Sequence, residues 1–294
     1  MRRIYAYSFQ IAKPFYNLYN AYTNKITHIN DEYERYHHMV SVGNPYHSIK
    51  LVNSSRETFL RENPQLRNKQ IISISPGGYK GFYIMGICKF IKQNYKLDNC
   101  VFSGASAGAW NALLLCSKHN IQDIENQLLD FSIINAKSIY EMENLIKTRL
   151  LEVYKTHDFE LDKLFIGVTT FVNHMPNTTI YYGFNDLEEA IDCCIASSHI
   201  PFITGGAIHR YRNLISFDGG FCKQPYVNIS NPVLHITPNI WKRYKKMSLE
   251  NPHFKISDYT TLFSKDKYIL SDMISDGYED SQRNKDTLDF IFHN

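Results

Sequence analysis

A serine flanked by glycines is the residue of this sequence whose context most clearly suggests chemistry. Residues 104–108 read Gly-Ala-Ser-Ala-Gly, after the apolar run 100–102 and before the apolar run 110–116. A tight turn between a strand and a helix pushes the hydroxyl of its serine out of the fold, and small neighbours let backbone segments approach closely. We therefore interpret Ser106 as a nucleophile, with an ordinary glycine turn as the simpler alternative.

A glycine-rich turn lies upstream of this serine. Residues 76–81, Pro-Gly-Gly-Tyr-Lys-Gly, follow the strand-like run 70–75 and precede a helical pattern. Such a turn exposes backbone N–H groups at the positive end of a helix, where anions bind well. The glycine spacing of nucleotide-binding loops is absent, so the pattern favours an oxyanion hole formed by the N–H groups of Gly77, Gly78 and Ala107.

A carboxylate completes the set of candidates. Asp218 precedes Gly219 and Gly220 and ends the apolar run 214–217. Aspartate before two glycines is also a common turn, but together with Ser106 it predicts a general base. The alternative is a Ser-Asp-His triad that uses a later histidine. The candidates for that histidine are His235, His253 and His293.

In chain order these motifs resemble those of the patatin-like phospholipases, lipid acyl hydrolases with a Ser-Asp dyad. The family's oxyanion loop falls on residues 76–81 with Lys80 at its basic position, and residues 196–202 resemble the stretch before the family's aspartate. The matching motif glycines are Gly81, Gly104, Gly108, Gly219 and Gly220. The chain departs from the pattern at Pro76, which replaces a glycine and removes one backbone N–H. The resemblance covers residues 70–225.

The resemblance implies hydrolysis of the fatty-acyl esters of glycerolipids or phospholipids, as in a phospholipase or lipase. Ser106 would attack the ester carbonyl, Asp218 would take its proton, and the oxyanion would lie on the predicted N–H donors. The resemblance also implies transient contact with a membrane or lipid-droplet surface. A Ser-His-Asp esterase and a catalytically silent lipid-binding scaffold are the alternatives, and the joint presence of Ser106 and Asp218 favours an enzyme.

Helical and strand-like runs alternate between the motifs. Helices are predicted over 121–131 and 139–153, and strands over 163–168 and 178–182. This alternation predicts an α/β fold, a three-layer α/β/α sandwich with a mainly parallel central sheet, patatin-like in its architecture. All three motifs would then lie at the carboxyl ends of strands, where ligands bind in such sheets.

Composition agrees with one sizeable catalytic domain, since 44% of the 294 residues are apolar and no repeat occurs. We predict a tyrosine-rich accessory segment over 1–69, a catalytic core over 70–225, and a C-terminal extension over 226–294 that completes or flanks the core. The polar residues 271–294 are expected to form a loose tail.

Charge and cysteine content narrow the class of protein. A net charge of +3 is too small for nucleic-acid binding and permits only weak attraction to anionic lipid. Neither a signal peptide nor a membrane-spanning segment is evident, so the sequence predicts an intracellular protein that is soluble or peripherally attached to membranes. The six cysteines lack metal-binding spacing and are expected to be free thiols. Cys193 and Cys194 are adjacent in a helix-like run, so only one of them needs to face the core. No cofactor is expected.

Overall fold

A computed structural model of the chain describes residues 48–49, 56–172, 175–222, 224–230, 232–241 and 269–293. These residues form a sheet flanked by helices, so the predicted α/β fold is confirmed. The strands are β1 (Ser48–Ile49), β2 (Gln70–Ile74), β3 (Cys100–Gly104), β4 (Leu164–Val172), β5 (Met175–Tyr181), β6 (His209–Tyr211), β7 (Leu214–Phe217) and β8 (Leu234–Ile236). The helices are α1 (Arg56–Glu62), α2 (Gly81–Asn94), α3 (Ala107–Cys116), α4 (Ile121–Leu128), α5 (Phe131–Ile134), α6 (Ile139–Val153), α7 (Leu187–Ser197), α8 (Leu270–Arg283) and α9 (Lys285–His293). Most of the predicted accessory segment, and His253, lie outside the described residues.

Four parallel strands form the centre of the sheet, in the order β8-β2-β3-β4. In this register Ile72 of β2 lies opposite Phe102 of β3 and Leu234 of β8. Nearly every residue of β2 and β3 is buried, as is typical of strands that are covered on both faces. The predicted parallel centre of the sheet is therefore confirmed.

Antiparallel strands extend the sheet beyond this centre. β4 and β5 form a hairpin where the alternation of elements predicted a parallel arrangement. Within β4, β3 pairs with residues 164–166. β7 pairs with the same edge of β4 farther along, where Phe217 lies opposite Thr169. The other edge of β4 is occupied by β5. β3 and β7 therefore run toward each other along one edge of β4, and their carboxyl ends meet.

Alternating side chains of the central strands belong to two apolar clusters. Ile72 and Phe102 lie in the larger cluster, with α2 and α3. Ile71 and Val101 lie in the smaller cluster, with Phe59 of α1. Successive residues of a strand point to opposite faces, so these clusters cover the two faces of the sheet.

The helix α8 packs directly on α2. A Cβ atom at Gly277 would lie 2.0 Å from Tyr83 O, and one at Gly86 would lie 2.0 Å from Ile274 O, so the two backbones touch. The expectation of a loose tail is therefore wrong for residues 271–293. Because β8 also pairs with β2, we propose that the C-terminal extension completes the core.

All six cysteines are free thiols, as predicted. Cys193 and Cys194 are both fully buried, although the helical pattern requires only one of them to face the core. The reason is that α7 lies against β4, α3 and α6, and these neighbours cover more than one side of the helix.

Candidate active site

Ser106 lies in the tight turn between β3 and α3. Its φ of 55° and ψ of −129° are unusual for a residue other than glycine. Such a conformation costs on the order of 1–3 kcal/mol and persists only where neighbours impose it. One such neighbour is Ser197, whose Oγ accepts a hydrogen bond from the Ser106 N–H at 2.8 Å.

The two glycines beside Ser106 allow direct backbone contact. A Cβ atom at Gly104 would lie 2.1 Å from Gly108 O, and one at Gly108 would lie 2.2 Å from Ile74 O. β2, the turn and α3 therefore fit together only without these side chains. This close packing is the physical requirement behind the Gly-x-Ser-x-Gly pattern.

Asp218 follows β7 and faces the Ser106 hydroxyl. Its Oδ2 accepts a hydrogen bond from Ser106 Oγ at 2.6 Å, and its Oδ1 accepts one from the Gly220 N–H at 2.7 Å. Gly219 permits the close turn, because a Cβ atom there would lie 2.2 Å from Gly167 O. Burial raises the pKa of the Asp218 carboxyl to about 6, and the hydrogen bonds from Ser106 and Gly220 oppose this rise. The carboxyl is thus mainly ionised at neutral pH.

The sheet explains why these two side chains meet. β3 and β7 end facing each other along β4, so the turn after β3 carries Ser106 to the residue that follows β7. All three motifs follow the carboxyl ends of strands, as predicted. The Asp218 motif, however, follows β7, which runs antiparallel to the strands β2 and β3 that precede the other two motifs.

Residues 197–199, at the end of α7, hold both motifs in place. Ser197 Oγ donates to Gly167 O at 2.7 Å while it accepts the Ser106 N–H. The carbonyl of His199 accepts the Asp218 N–H at 2.7 Å. Sequence reasoning associated this stretch with the site by resemblance but missed the contact of Ser197. The available signal was a serine that follows the apolar run 193–196 at the end of α7.

Gly78 begins the 3₁₀ turn between β2 and α2 with a φ of 52°, a conformation that favours glycine. Gly78 and Ala107 line the same cavity as Ser106. Within the described part of the chain, the N–H groups of Gly78 and Ala107 have no hydrogen-bond partner. Asn111 Nδ2 donates to the carbonyls of Gly81 and Ala107 at 3.1 and 2.9 Å. These bonds tie the glycine-rich turn to α3.

Other residues of this turn have different surroundings. Gly77 and Lys80 are not among the residues that line the cavity. Gly77 lies near Ile84, because a Cβ atom at Gly77 would be 3.4 Å from Ile84 Cδ1. Pro76 lies against the Asp218 turn, where a Cβ atom at Gly220 would be 3.0 Å from Pro76 Cγ. The roles predicted for Gly77 and Lys80 stay predictions.

A cavity of about 110 Å³ adjoins Ser106 and Asp218. Its wall is mainly apolar and comes largely from α2, α3 and α6, which suits an acyl chain. Apolar residues of the wall include Phe82, Met85, Leu113, Met142, Ile146 and Leu150. Glu143 of α6 also lines the cavity and is buried. Sequence reasoning missed Glu143, because no motif surrounds it.

A comparison with models of protein families matches residues 72–227, just over half of the chain, to the patatin-like phospholipases. The chain belongs to this family. The membership predicted from the motifs is thereby confirmed, and the chain is a member of a family of lipid acyl hydrolases. A comparison with curated protein sequences found no match.

In the part of this patatin-like chain that the structure describes, the side chains beside Ser106 include neither an imidazole partner nor a metal-ligand cluster. No imidazole of the described histidines hydrogen-bonds to Ser106 or Asp218; His199 contacts Asp218 through its backbone carbonyl alone. His235 Nδ1 lies 2.7 Å from Ser73 Oγ, and His293 ends α9. Over the described ranges, no three His, Cys, Asp or Glu side chains are grouped so that they could hold a metal ion.

Proposed function

We propose that this patatin-like protein is a lipid acyl hydrolase that cleaves the fatty-acyl esters of glycerolipids through a Ser106-Asp218 dyad. The observation that carries the proposal is the 2.6 Å hydrogen bond from Ser106 Oγ to Asp218 Oδ2. It lies beside an apolar cavity in a chain of a lipid-hydrolase family. Nucleophile, base and acyl-binding space thus occur together.

Acylation follows from this arrangement. Asp218 takes the hydroxyl proton as Ser106 Oγ attacks the ester carbonyl, and a tetrahedral oxyanion forms. We assign the N–H groups of Gly78 and Ala107 as its donors, with Gly77 as the third predicted donor. The oxyanion collapses, the ester C–O bond breaks, and Asp218 returns the proton to the leaving alcohol. The acyl group is now on Ser106.

Deacylation repeats these steps with water. Asp218 takes a proton from the attacking water, the same N–H donors stabilise the second oxyanion, and Ser106 leaves with the proton. The N-terminus of α3 lies directly after Ser106, so its dipole favours negative charge at the reacting centre. One carboxylate therefore serves as base and then as acid in both steps.

Covalent labelling tests the proposed function. A fluorophosphonate captures an activated serine, so intact-mass spectrometry should show a single adduct on the native protein and none on Ser106→Ala. Ser132→Ala, which changes an exposed serine, should keep the adduct. A native protein that takes no adduct would contradict the proposal and favour the lipid-binding scaffold.

The pH dependence of turnover should report the buried base. Burial raises the pKa of Asp218 to about 6, and only the ionised carboxylate can accept the serine proton. kcat/KM for a soluble ester should therefore rise about tenfold for each pH unit below about 6 and level off above it. Stopped assays between pH 4.5 and 8 measure this rise in kcat/KM. A rise with its midpoint near pH 4 would contradict the assignment of a desolvated Asp218.

The mouth loop, residues 200–206, presents apolar side chains to solvent beside the cavity. Ile200 and Thr204 line the cavity, whereas Phe202 and Ile203 are 64% and 40% exposed. Thr204 Oγ1 accepts the Ile200 N–H at 2.7 Å, which holds the loop closed. None of the described helices combines the length and apolar character that crossing a bilayer requires. We propose that the mouth loop inserts into a lipid surface while substrate enters.

Phe202→Ala should weaken binding to phospholipid vesicles about tenfold. Transfer of this exposed ring into lipid contributes about 1–2 kcal/mol, which the alanine loses. Vesicle co-sedimentation measures the change. Phe290→Ala is the matched control, since Phe290 is 73% exposed but lies on α9 and does not line the cavity. Equal loss in both variants, or none in either, would contradict insertion of the mouth loop.

A further inference from the structure

Glu143 is a carboxyl in an apolar wall. It lies on α6 between Met142 and Ile146, which line the same cavity, and it is 4% exposed. The side of a helix that faces a cavity of this kind is normally apolar. Burial of a carboxyl there costs free energy unless hydrogen bonds or an opposite charge compensate.

The surroundings of Glu143 compensate its burial only in part. No ion pair to Glu143 occurs among the described residues, and its Oε2 has no hydrogen-bond partner there. Burial raises the pKa of Glu143 to about 8; hydrogen bonds from Ser198 and Trp110 lower it, and the charge of Asp218 raises it. At neutral pH the side chain is mainly a neutral carboxylic acid, which both donates and accepts hydrogen bonds.

The polar neighbours of Glu143 do not need it. Trp110 Nε1 donates to Ser198 Oγ at 3.0 Å, and Ser198 Oγ donates to Cys194 O at 3.0 Å. Both groups therefore have partners besides the carboxyl, with which they also form hydrogen bonds. A structural role, in which Glu143 would satisfy otherwise unpaired buried donors, is thus not supported.

The lining of the cavity indicates the class of ligand. Its mainly apolar wall suits an acyl chain, and Glu143 is a polar group within that wall. A glycerolipid with a single chain carries a free hydroxyl on the glycerol carbons near its ester. A hydroxyl donates and accepts hydrogen bonds, and so does a neutral carboxyl.

We propose that Glu143 is a specificity residue that hydrogen-bonds a free glycerol hydroxyl of single-chain glycerolipids. It therefore favours monoacylglycerols and lysophospholipids over esters without that hydroxyl. The carboxyl lines the same cavity as Ser106 and Asp218, so one bound molecule can contact all three. This proposal rests on the proposed function, because it concerns the alcohol part of the same substrate.

The test compares 1-monooctanoylglycerol with propyl octanoate, which has the same acyl chain and the same three-carbon alcohol without the two hydroxyls. The readout is the ratio of kcat/KM for the two esters. Glu143→Leu should lower this ratio at least tenfold, because the leucine cannot form a hydrogen bond. Glu143→Gln should keep the ratio within about threefold of the native value, because an amide still donates and accepts.

A merely structural role would lower both rates together and leave the ratio unchanged. An unchanged ratio in Glu143→Leu, or equal losses in the leucine and glutamine variants, would overturn the proposal. Glu143→Met replaces the leucine variant if the latter does not fold. If the native protein cleaves neither ester, the proposed function fails. The ratio of the two dissociation constants, from isothermal titration of the same variants, then decides the role of Glu143 by the same criteria.

Discussion

Asp218→Asn is expected to leave a folded protein whose esterase activity is at least about 10³-fold below that of the native chain. Asparagine has the same shape and keeps an oxygen for the Gly220 N–H, which now bonds Oδ1 at 2.7 Å. It cannot take the proton of Ser106. The measurement is kcat/KM for propyl octanoate at pH 7.5, with circular dichroism to verify the fold.

The control for this variant is Asp162→Asn, which removes an exposed carboxylate and should leave kcat/KM unchanged. The asparagine at 218 should not lower stability at neutral pH, because it removes a carboxyl whose pKa is raised by burial. A folded Asp218→Asn protein that retains its activity would contradict the assignment of a Ser106-Asp218 dyad. Loss of activity in His235→Ala would then favour a triad.

Gly277→Ala is expected to lower the free energy of unfolding by at least about 2 kcal/mol. A Cβ atom at this position would lie 2.0 Å from Tyr83 O. Backbone atoms cannot move aside as a flexible side chain can, so α8 must shift away from α2. Urea unfolding monitored by circular dichroism measures the change.

Gly206→Ala is the matched control, because a Cβ atom there would have no heavy atom within 4 Å apart from those of Gly206 and its chain neighbours. Its effect on stability should stay within about 0.5 kcal/mol. If the two alanine variants unfold at the same urea concentration, the close contact of α8 with α2 is contradicted. Activity is a weaker readout here, since Gly277 does not line the cavity.

Local signals predicted some elements well. The helix predicted over 139–153 is α6, Ile139–Val153. Its apolar residues recur at helical spacing, and Ser138 Oγ accepts the Glu141 N–H at 3.1 Å as an N-terminal cap. Signals of this kind lie within a few residues of one another, so a single sequence contains all of them.

Elements that depend on small residues or distant partners were not predictable in this way. α8 buries Gly277 and Ser281 beside Leu270 and Ile274, and glycine and serine do not register as an apolar stripe. The β4–β5 hairpin was missed because strand pairing depends on register and edges, which propensity does not describe.

The same division applies to the candidate site. Ser106 and Asp218 stand in motifs that family resemblance makes visible. Ser197 and Glu143 are surrounded by residues far away in the sequence, and no local pattern marks them. Their side chains come close to Ser106 only when α6 and α7 pack over the turn that holds it.

Ser106 and Asp218 are 112 residues apart, and they meet because β3 and β7 approach from opposite directions. Synthesis must therefore pass Asp218, and β7 must dock on β4, before the serine has a proton acceptor. Contacts between distant parts of a chain form slowly. In the proposed mechanism, a nascent chain without Asp218 therefore carries a serine that has no base, and activity arises only once the sheet is complete.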